Sequence, residues 1–326
     1  MLPQWQYLSA RLPPAFIIPA RKGIIVSAAR DLMAATIIDG KQVAERIRQD
    51  VARQVADLAA KGLRLKLAAV LVGQPPASMV YARSQAKQCE ALGIDYELVQ
   101  LPVECDAPCV AHEIERLNQD CSVTGIMIHL PLPPWIDAHA MQYRIDPYKD
   151  IEGVNPANIG FVFYGQPIIA PCTALAIVEL INETRIKLRG AAAVIVGQGP
   201  VVGRPTGIFL IQKDATVTAC NEFTPDLAAH TRRADLLIVA AGKAGLITAD
   251  MVKSGAVVID VGINRVKSLD EKGQEVSRTV GDVDFESVRQ VAGAITPVPG
   301  GVGPVTVTML LRNTVEAARK QSSRKP

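Results

Sequence analysis

Short, mostly apolar runs, each closed by a polar or glycine-rich turn and followed by a helical pattern, recur through most of this chain. Residues 192–196, 216–219, 236–240 and 257–261 are the clearest of them. A strand that is apolar on both faces must be covered on both. Parallel strands joined by crossover helices meet that demand. The alternation starts earlier in the chain. Val43, Ile47, Val51, Val55 and Leu58 recur at helical spacing over residues 41–61, and residues 67–72 form an apolar run ending at Gly73. A helical stretch over 77–92 closes at Gly93, then come a strand at 96–101, a helix at 107–117 and a strand at 123–130 that runs into Pro131-Leu132-Pro133-Pro134. A last helix covers 305–320. The pattern predicts an α/β fold. With 326 residues the chain exceeds what one core usually serves, so two domains are expected.

The strand at 192–196 runs into Gly197-Gln198-Gly199-Pro200-Val201-Val202-Gly203. Glycines at 197, 199 and 203 between a strand and a helix allow a tight turn. They also let backbone N–H groups approach a pyrophosphate at the helix N-terminus. The spacing is one residue longer in its last gap than the usual dinucleotide fingerprint, but the βαβ context supports the same reading. The next strand ends at Asn221-Glu222, 25 residues after Gly197. An acid there can accept hydrogen bonds from the adenosine ribose and would repel a ribose phosphate, which favours NAD over NADP. A solvated loop glutamate is the plainer alternative.

Other classes are disfavoured. The composition is 49% hydrophobic and 21% charged, which excludes disorder and fibrous folds. No apolar run reaches the ~18 residues of a membrane span. The net charge of +3 comes without a basic cluster interleaved with aromatics, so neither nucleic acid nor membrane is an expected partner. Cysteines 89, 105, 109, 121, 172 and 220 contain no Cys-x-x-Cys pair. They are read as reduced thiols of a cytoplasmic protein, with no metal site. Residues 1–32 carry Arg11, Arg21, Lys22 and Arg30 against a single acid, Asp31. That is the composition of an organellar transit peptide, or of a start placed ahead of Met33. Pro13, Pro14 and Pro19 favour the second reading, because they spoil an amphipathic helix.

Several motifs in order then resemble one family. They are Tyr81, Leu130-Pro131-Leu132-Pro133, Pro171-Cys172-Thr173, Asp260-Val261-Gly262-Ile263-Asn264, Gly281-Asp282-Val283-Asp284 and Thr296-Pro297-Val298-Pro299-Gly300-Gly301-Val302-Gly303-Pro304. From residue 34 to 318 the chain closely resembles methylenetetrahydrofolate dehydrogenase/methenyltetrahydrofolate cyclohydrolase. The resemblance implies a folate-binding catalytic domain (33–153 plus 303–326) and a Rossmann-like NAD(P)-binding domain (154–302), with a cleft between them. Residues 1–32 stand outside as an extension. It implies a homodimer through the cofactor domain. It also implies folate lying against Tyr81, and nicotinamide near Gly262, Ile263 and the Pro299-Gly300-Gly301 loop. Ser78, Tyr81 and Gln85 fall on one helix face, consistent with a flat aromatic surface for a pterin or aminobenzoyl ring.

The departures from the family gather at the chemistry. The family pattern Tyr-x-x-x-Lys is here Tyr81-Ala82-Arg83-Ser84-Gln85, so the lysine that promotes hydration of the methenyl carbon is Gln85, which carries no titratable proton. Lys87 lies on another face of that helix. The Gln before Leu-Pro-Leu-Pro is here His129. The Asp that holds the pterin amino edge is here Glu152. In the cofactor loop the family's Gly-Arg-Ser is Gly197-Gln198-Gly199, with Val202 before the third glycine, and its His-Ser is Asn221-Glu222. Losing Arg and Ser while gaining Glu222 points to NAD, with NADP still allowed. The expectation is an NAD-preferring methylenetetrahydrofolate dehydrogenase, a hydride-transferring oxidoreductase of one-carbon metabolism with weak or lost cyclohydrolase activity. Tyr81, Gln85 and His129 are its catalytic set, and Ser78, Leu130, Glu152 and residues 299–301 complete the folate site. Three alternatives stand: a bifunctional enzyme with His129 as base, a non-catalytic binding paralogue, and a dehydrogenase for another pterin carrier. His129 is read first as a hydrogen-bond partner for Gln85.

Overall fold

The computed structural model describes residues 34–269 and 275–323; the amino-terminal extension of the sequence reading lies outside them. The first half of the chain builds a three-stranded parallel sheet. β1 (Thr36–Ile37) and α1 (Gly40–Ala60) lead into β2 (Lys66–Val72), α2 (Pro76–Ala91), β3 (Asp95–Leu101), α3 (Ala107–Gln119) and β4 (Gly125–Ile128), with strand order β3-β2-β4. Asp39 starts α1 by accepting from the backbone N–H groups of Lys41 and Gln42, and Gly62 past its end takes φ +77°. The expected apolar stripe of α1, Val43 to Leu58, is buried. Short α4 (Ala138–Gln142) and α5 (Pro156–Phe163) follow.

α6 (Cys172–Asn182) opens the second series. It continues through β5 (Ala192–Val196), α7 (Gly203–Ile211), β6 (Thr216–Cys220), α8 (Leu227–Thr231), β7 (Leu236–Val239), β8 (Val257–Asp260), the antiparallel hairpin β9 (Asn264–Leu269) and β10 (Glu275–Val280), α9 (Phe285–Val288), β11 (Ala294–Ile295) and α10 (Val302–Ser322). Its sheet is parallel throughout, in the order β1-β11-β8-β7-β5-β6. β5 has β6 on one side and β7 on the other, so the chain reverses direction across the sheet there. Open α/β sheets bind ligands at that switch point.

Strand side chains alternate between faces, and the cores follow that period. Leu67 and Ala69 of β2, Ala193 and Ile195 of β5, and Leu236 and Ile238 of β7 pack with α1, α6 and α10 in one continuous core. Ala68, Val70 and Val72 turn the other way onto Val110, Ile114 and Leu117 of α3. Val194, Val196, Leu237 and Val239 turn onto Val283 and Val288. The fold is the expected two-domain α/β arrangement, with α1, α6 and α10 as the layer between the two sheets. β1, although it precedes α1, pairs with β11 at the edge of the larger sheet.

The reading of all six cysteines as reduced thiols needs correction. Cys105 and Cys109 form a disulfide, their Cα atoms 5.7 Å apart. They flank Asp106, the N-cap of α3, and the first helical turn brings the four-residue spacing within reach. Cys89, Cys172 and Cys220 are free and buried, and Cys121 is free and exposed. Among the described residues no helix is long and apolar enough to cross a membrane.

Candidate active site

α2 begins at Pro76 and carries Ser78, Tyr81 and Gln85 along one side. Ser78 is buried, and its hydroxyl donates to the Leu130 carbonyl at 3.4 Å, tying α2 to the loop after β4. Leu130 is half-exposed and precedes a cis proline, Pro131. Tyr81 is 43% exposed, so a ring face is open to a ligand, and its ring meets His129 edge-on at 5.7 Å.

Gln85 and His129 are both buried, at 2% and 3% exposure, and the structure brings them together through a third residue. The Tyr96 hydroxyl lies 3.2 Å from Gln85 Oε1 and 3.3 Å from His129 Nε2. Gln85 Nε2 donates to Met127 Sδ at 3.0 Å. The direct Gln85–His129 hydrogen bond of the sequence reading is replaced by this bridge. Strand register explains why. Tyr96 pairs with Leu67 across β3–β2, and it packs on the same core as Leu67 and Met127. Met127 and His129, two residues apart at the end of β4, share a face. Burial holds the His129 imidazole below its ordinary range, so it is neutral at pH 7. Gln85, Tyr96 and His129 therefore form an uncharged cluster.

Among the described residues no lysine takes over from the missing one in this cluster. Lys149 donates from Nζ to the carbonyls of Leu117, Asn118 and Asp120 at 2.7–2.9 Å, and Lys87 is exposed.

Glu152 follows the buried Asp150. Asp150 accepts from the Gly153 and Asn155 backbone N–H groups and from Asn158 Nδ2. Glu152 Oε2 is buried and has no hydrogen-bond partner among the described residues. Burial, reinforced by the Asp150 charge, pushes the Glu152 carboxyl up to about 7, against the pull of the Ile128 backbone N–H. A buried acceptor without a donor is costly, and a ligand bearing N–H groups would relieve it. Asn313 of α10 holds this segment in place. Its Nδ2 donates to the Ile151 and Ala170 carbonyls, each at 2.9 Å, and lies 3.4 Å from Cys172 Sγ. The sequence alone marks neither Tyr96 nor Asn313 as a site residue. An aromatic at strand period reads as core, and a lone Asn on a long helix carries no signal.

The glycine loop sits at the switch point. Gly197 has φ +102°, and a Cβ there would lie 2.1 Å from the Ala240 carbonyl oxygen at the end of β7. A Cβ on Gly203 would lie 1.9 Å from the Gly197 carbonyl oxygen, whereas a Cβ on Gly199 would meet nothing within 4 Å. Two glycines therefore serve close packing, and the third faces open space. α7 starts after Val202 with no side-chain cap; in its first turn Arg204 N–H donates to the Gly199 carbonyl and Pro205 has no N–H, so the Gly203 N–H is the donor left there for an anion. Gln198 turns inward, its Nε2 donating to the Ile195 carbonyl. Glu222 is exposed two residues beyond β6.

Two strands from β5, at the same carboxyl edge of the sheet, Asp260 at the end of β8 accepts from the backbone N–H groups of Gly262, Asp282 and Val283, each at 3.0 Å. Asp282 accepts from Ala241 and Gly242 N–H and from Asn264 Nδ2. This double clamp presents Ile263 at 71% exposure. Gly262 must be glycine, since its Cβ would lie 2.2 Å from Asp282 Cγ. The Pro299-Gly300-Gly301 loop, with a cis bond at Val298–Pro299, packs onto the start of α1; a Cβ on Gly40 would lie 1.8 Å from the Gly301 carbonyl oxygen. Among the described residues no cluster of three or more His, Cys, Asp or Glu could hold a metal ion.

Comparison with known proteins covers nearly all of this architecture. The family profile "Tetrahydrofolate dehydrogenase/cyclohydrolase, catalytic domain" matches residues 38–152. The profile for the NAD(P)-binding domain of the same family matches residues 171–322. The chain is 50% identical over 286 residues to "Bifunctional protein FolD" of Bordetella petrii, covering 88% of this chain and 95% of the relative. The crystal structure of the bifunctional methylenetetrahydrofolate dehydrogenase/cyclohydrolase of Campylobacter jejuni is similar, with TM-score 0.82, 42% identity and coverage of 88% of this chain and all of that one. So is the Trypanosoma brucei enzyme solved with NADP and an inhibitor, with TM-score 0.82, 38% identity and coverage of 90% and 100%.

Proposed function

The chain belongs to the tetrahydrofolate dehydrogenase/cyclohydrolase family, and we propose that within it this protein is a methylenetetrahydrofolate dehydrogenase that prefers NAD and has weak or no cyclohydrolase activity. The observation that carries the reading is the uncharged Gln85–Tyr96–His129 cluster in place of a lysine. Hydride departure from the methylene carbon is driven by the lone pairs of the substrate's own nitrogens, so it needs orientation more than acid–base groups. Addition of water to the methenyl product needs a group that takes and returns a proton. Gln85 cannot do so at neutral pH.

In this reading Tyr81 stacks on the folate, Ser78 and Leu130 shape the edge of its site, and Glu152 accepts from the pterin N–H groups. The 299–301 loop and Ile263 hold the nicotinamide against the reacting carbon at near-contact distance. Gly197, Gln198, Gly199, Val202 and Gly203 form the pyrophosphate turn. Glu222 selects NAD by accepting from the ribose hydroxyls and repelling a ribose phosphate. The domain limits of the sequence reading and a homodimer through the cofactor domain belong to the same proposal, on the strength of the resemblance.

The test is a pair of activities measured on one preparation. With methylenetetrahydrofolate, NAD should be reduced faster than NADP. With methenyltetrahydrofolate supplied directly, Gln85→Lys should hydrolyse it at least about tenfold faster than the parent, a change of ~1.4 kcal/mol. A parent that hydrolyses as fast as the Lys variant defeats the lost-cyclohydrolase half. A preference for NADP defeats the cofactor half.

A further inference from the structure

The hydroxyl of Tyr96 has one proton and two polar neighbours, and counting donors settles where it goes. Gln85 Nε2 lies 3.0 Å from Met127 Sδ, a weak acceptor and no donor. A carbonyl facing that sulfur would be unpaired, so the amide nitrogen faces it and Oε1 faces Tyr96. Oε1 can only accept. The Tyr96 proton is therefore donated to Gln85 over 3.2 Å. The Tyr96 oxygen then meets His129 Nε2 at 3.3 Å with only lone pairs to offer. Nε2 must carry the hydrogen and donate it.

We infer that Tyr96 is a positioning residue that fixes neutral His129 in its Nε2–H tautomer and the Gln85 amide in a single orientation. The inference rests on the dehydrogenase reading of this site and deepens it. With Oε1 accepting and Nε2 donating, both groups next to Tyr96 have those atoms occupied. Nδ1 is left as the imidazole's only lone pair. A water that would hydrate a methenyl carbon finds no base at Nε2 or at Oε1. The relay also reaches the stacking ring, because the fixed imidazole meets Tyr81 edge-on at an interplanar angle of 86°. One hydroxyl on β3 thus sets the geometry of three residues on α2 and at the end of β4.

The test reads the tautomer directly. Long-range proton–nitrogen correlation on the apo protein at pH 7.5 resolves the ring nitrogens of its four histidines, with His129→Gln identifying the signal of His129. Protonated Nε2 with bare Nδ1 is expected in the wild type. In Tyr96→Phe the Nε2 hydrogen loses its acceptor, and the ring should shift to a mixture of tautomers. The variant keeps the aromatic ring that packs in the core. Its kcat for methylenetetrahydrofolate oxidation should fall about tenfold, with the KM for NAD unchanged. A wild-type spectrum with bare Nε2 overturns the inference, and so does an unchanged tautomer in Tyr96→Phe. Should Tyr96→Phe not fold, the wild-type spectrum alone decides. Because the spectrum needs no substrate, failure of the inference is distinct from failure of the dehydrogenase reading, which shows as no reduced nicotinamide from the wild type.

Discussion

Replacing Glu152 by Gln should strengthen the fold and weaken the site. In the folded protein the Glu152 carboxyl is raised from 4.5 to about 7 by burial and by the Asp150 charge. One pH unit corresponds to ~1.4 kcal/mol, so ionising Glu152 costs the apo protein on the order of 3 kcal/mol. The sign follows from a native value above the unfolded one. The neutral carboxyl's advantage is fully present below about pH 4.5, and it is lost as the pH rises through about 7. Urea unfolding at pH 5 and at pH 9 measures this. The wild type should lose up to ~3 kcal/mol more than Glu152→Gln between those two points. Asp150 is present in both proteins, so its own titration largely cancels. The substrate reports the opposite change. A carboxylate can accept two N–H donors from a pterin, whereas an amide offers one acceptor and one donor. Loss of a charge-assisted hydrogen bond of ~1.5–3 kcal/mol should raise the KM for methylenetetrahydrofolate about 10- to 100-fold. Parallel pH dependence of stability in the two proteins would refute the account of the buried charge. An unchanged KM would refute the pterin contact.

Four further substitutions probe separate parts of the structure. Glu222→Arg removes the charge that repels a ribose phosphate and supplies a guanidinium for it. The NADP/NAD ratio of kcat/KM should rise at least about tenfold, and steady-state rates with both cofactors check it. Gly203→Ala pushes a methyl against the Gly197 carbonyl oxygen and should cost ~1–3 kcal/mol of stability together with cofactor affinity. Gly199→Ala, with nothing within 4 Å of its Cβ, should keep its urea midpoint and lose only cofactor affinity. Asn313→Ala removes the amide donor of the Ile151 and Ala170 carbonyls and leaves Ile151 only the weak Cys172 thiol, so a loss of ~1–3 kcal/mol is expected in the same unfolding assay.

Much of the fold is legible because its buried strands are apolar on both faces and its turns carry glycine. β5 and the Gly197–Gly203 turn are the clearest case, since Gly197 and Gly203 answer to carbonyl oxygens about 2 Å from where a Cβ would be. β9 and β10 escape the same reading. Arg265, Lys267, Glu275 and Arg278 make them polar hairpin strands outside the two sheets, with no apolar period to follow. α6 is buried on most of its surface, so Cys172–Asn182 shows no contrast between faces. β1 and β11, two residues each, are too short to carry a pattern. At the candidate site, Tyr81 stands out as a match to a family pattern and Gln85 and His129 as departures from it, and the structure brings the three together. Their link through Tyr96 depends on the register of β3 against β2 and on the pleat of β4, which only pairing reveals. The Cys105–Cys109 disulfide depends in the same way on where α3 begins.

The most direct test of the central claim is one progress curve. Methylenetetrahydrofolate and NAD are given to the wild-type protein, and the absorbances of reduced nicotinamide and of the methenyl product are followed together. NADH and methenyltetrahydrofolate should rise in equal amounts, and the methenyl signal should persist at the rate of its uncatalysed decay. NADH rising while the methenyl signal fails to accumulate would show that hydrolysis continues without the lysine, and would contradict the assignment of this site to the dehydrogenase step alone.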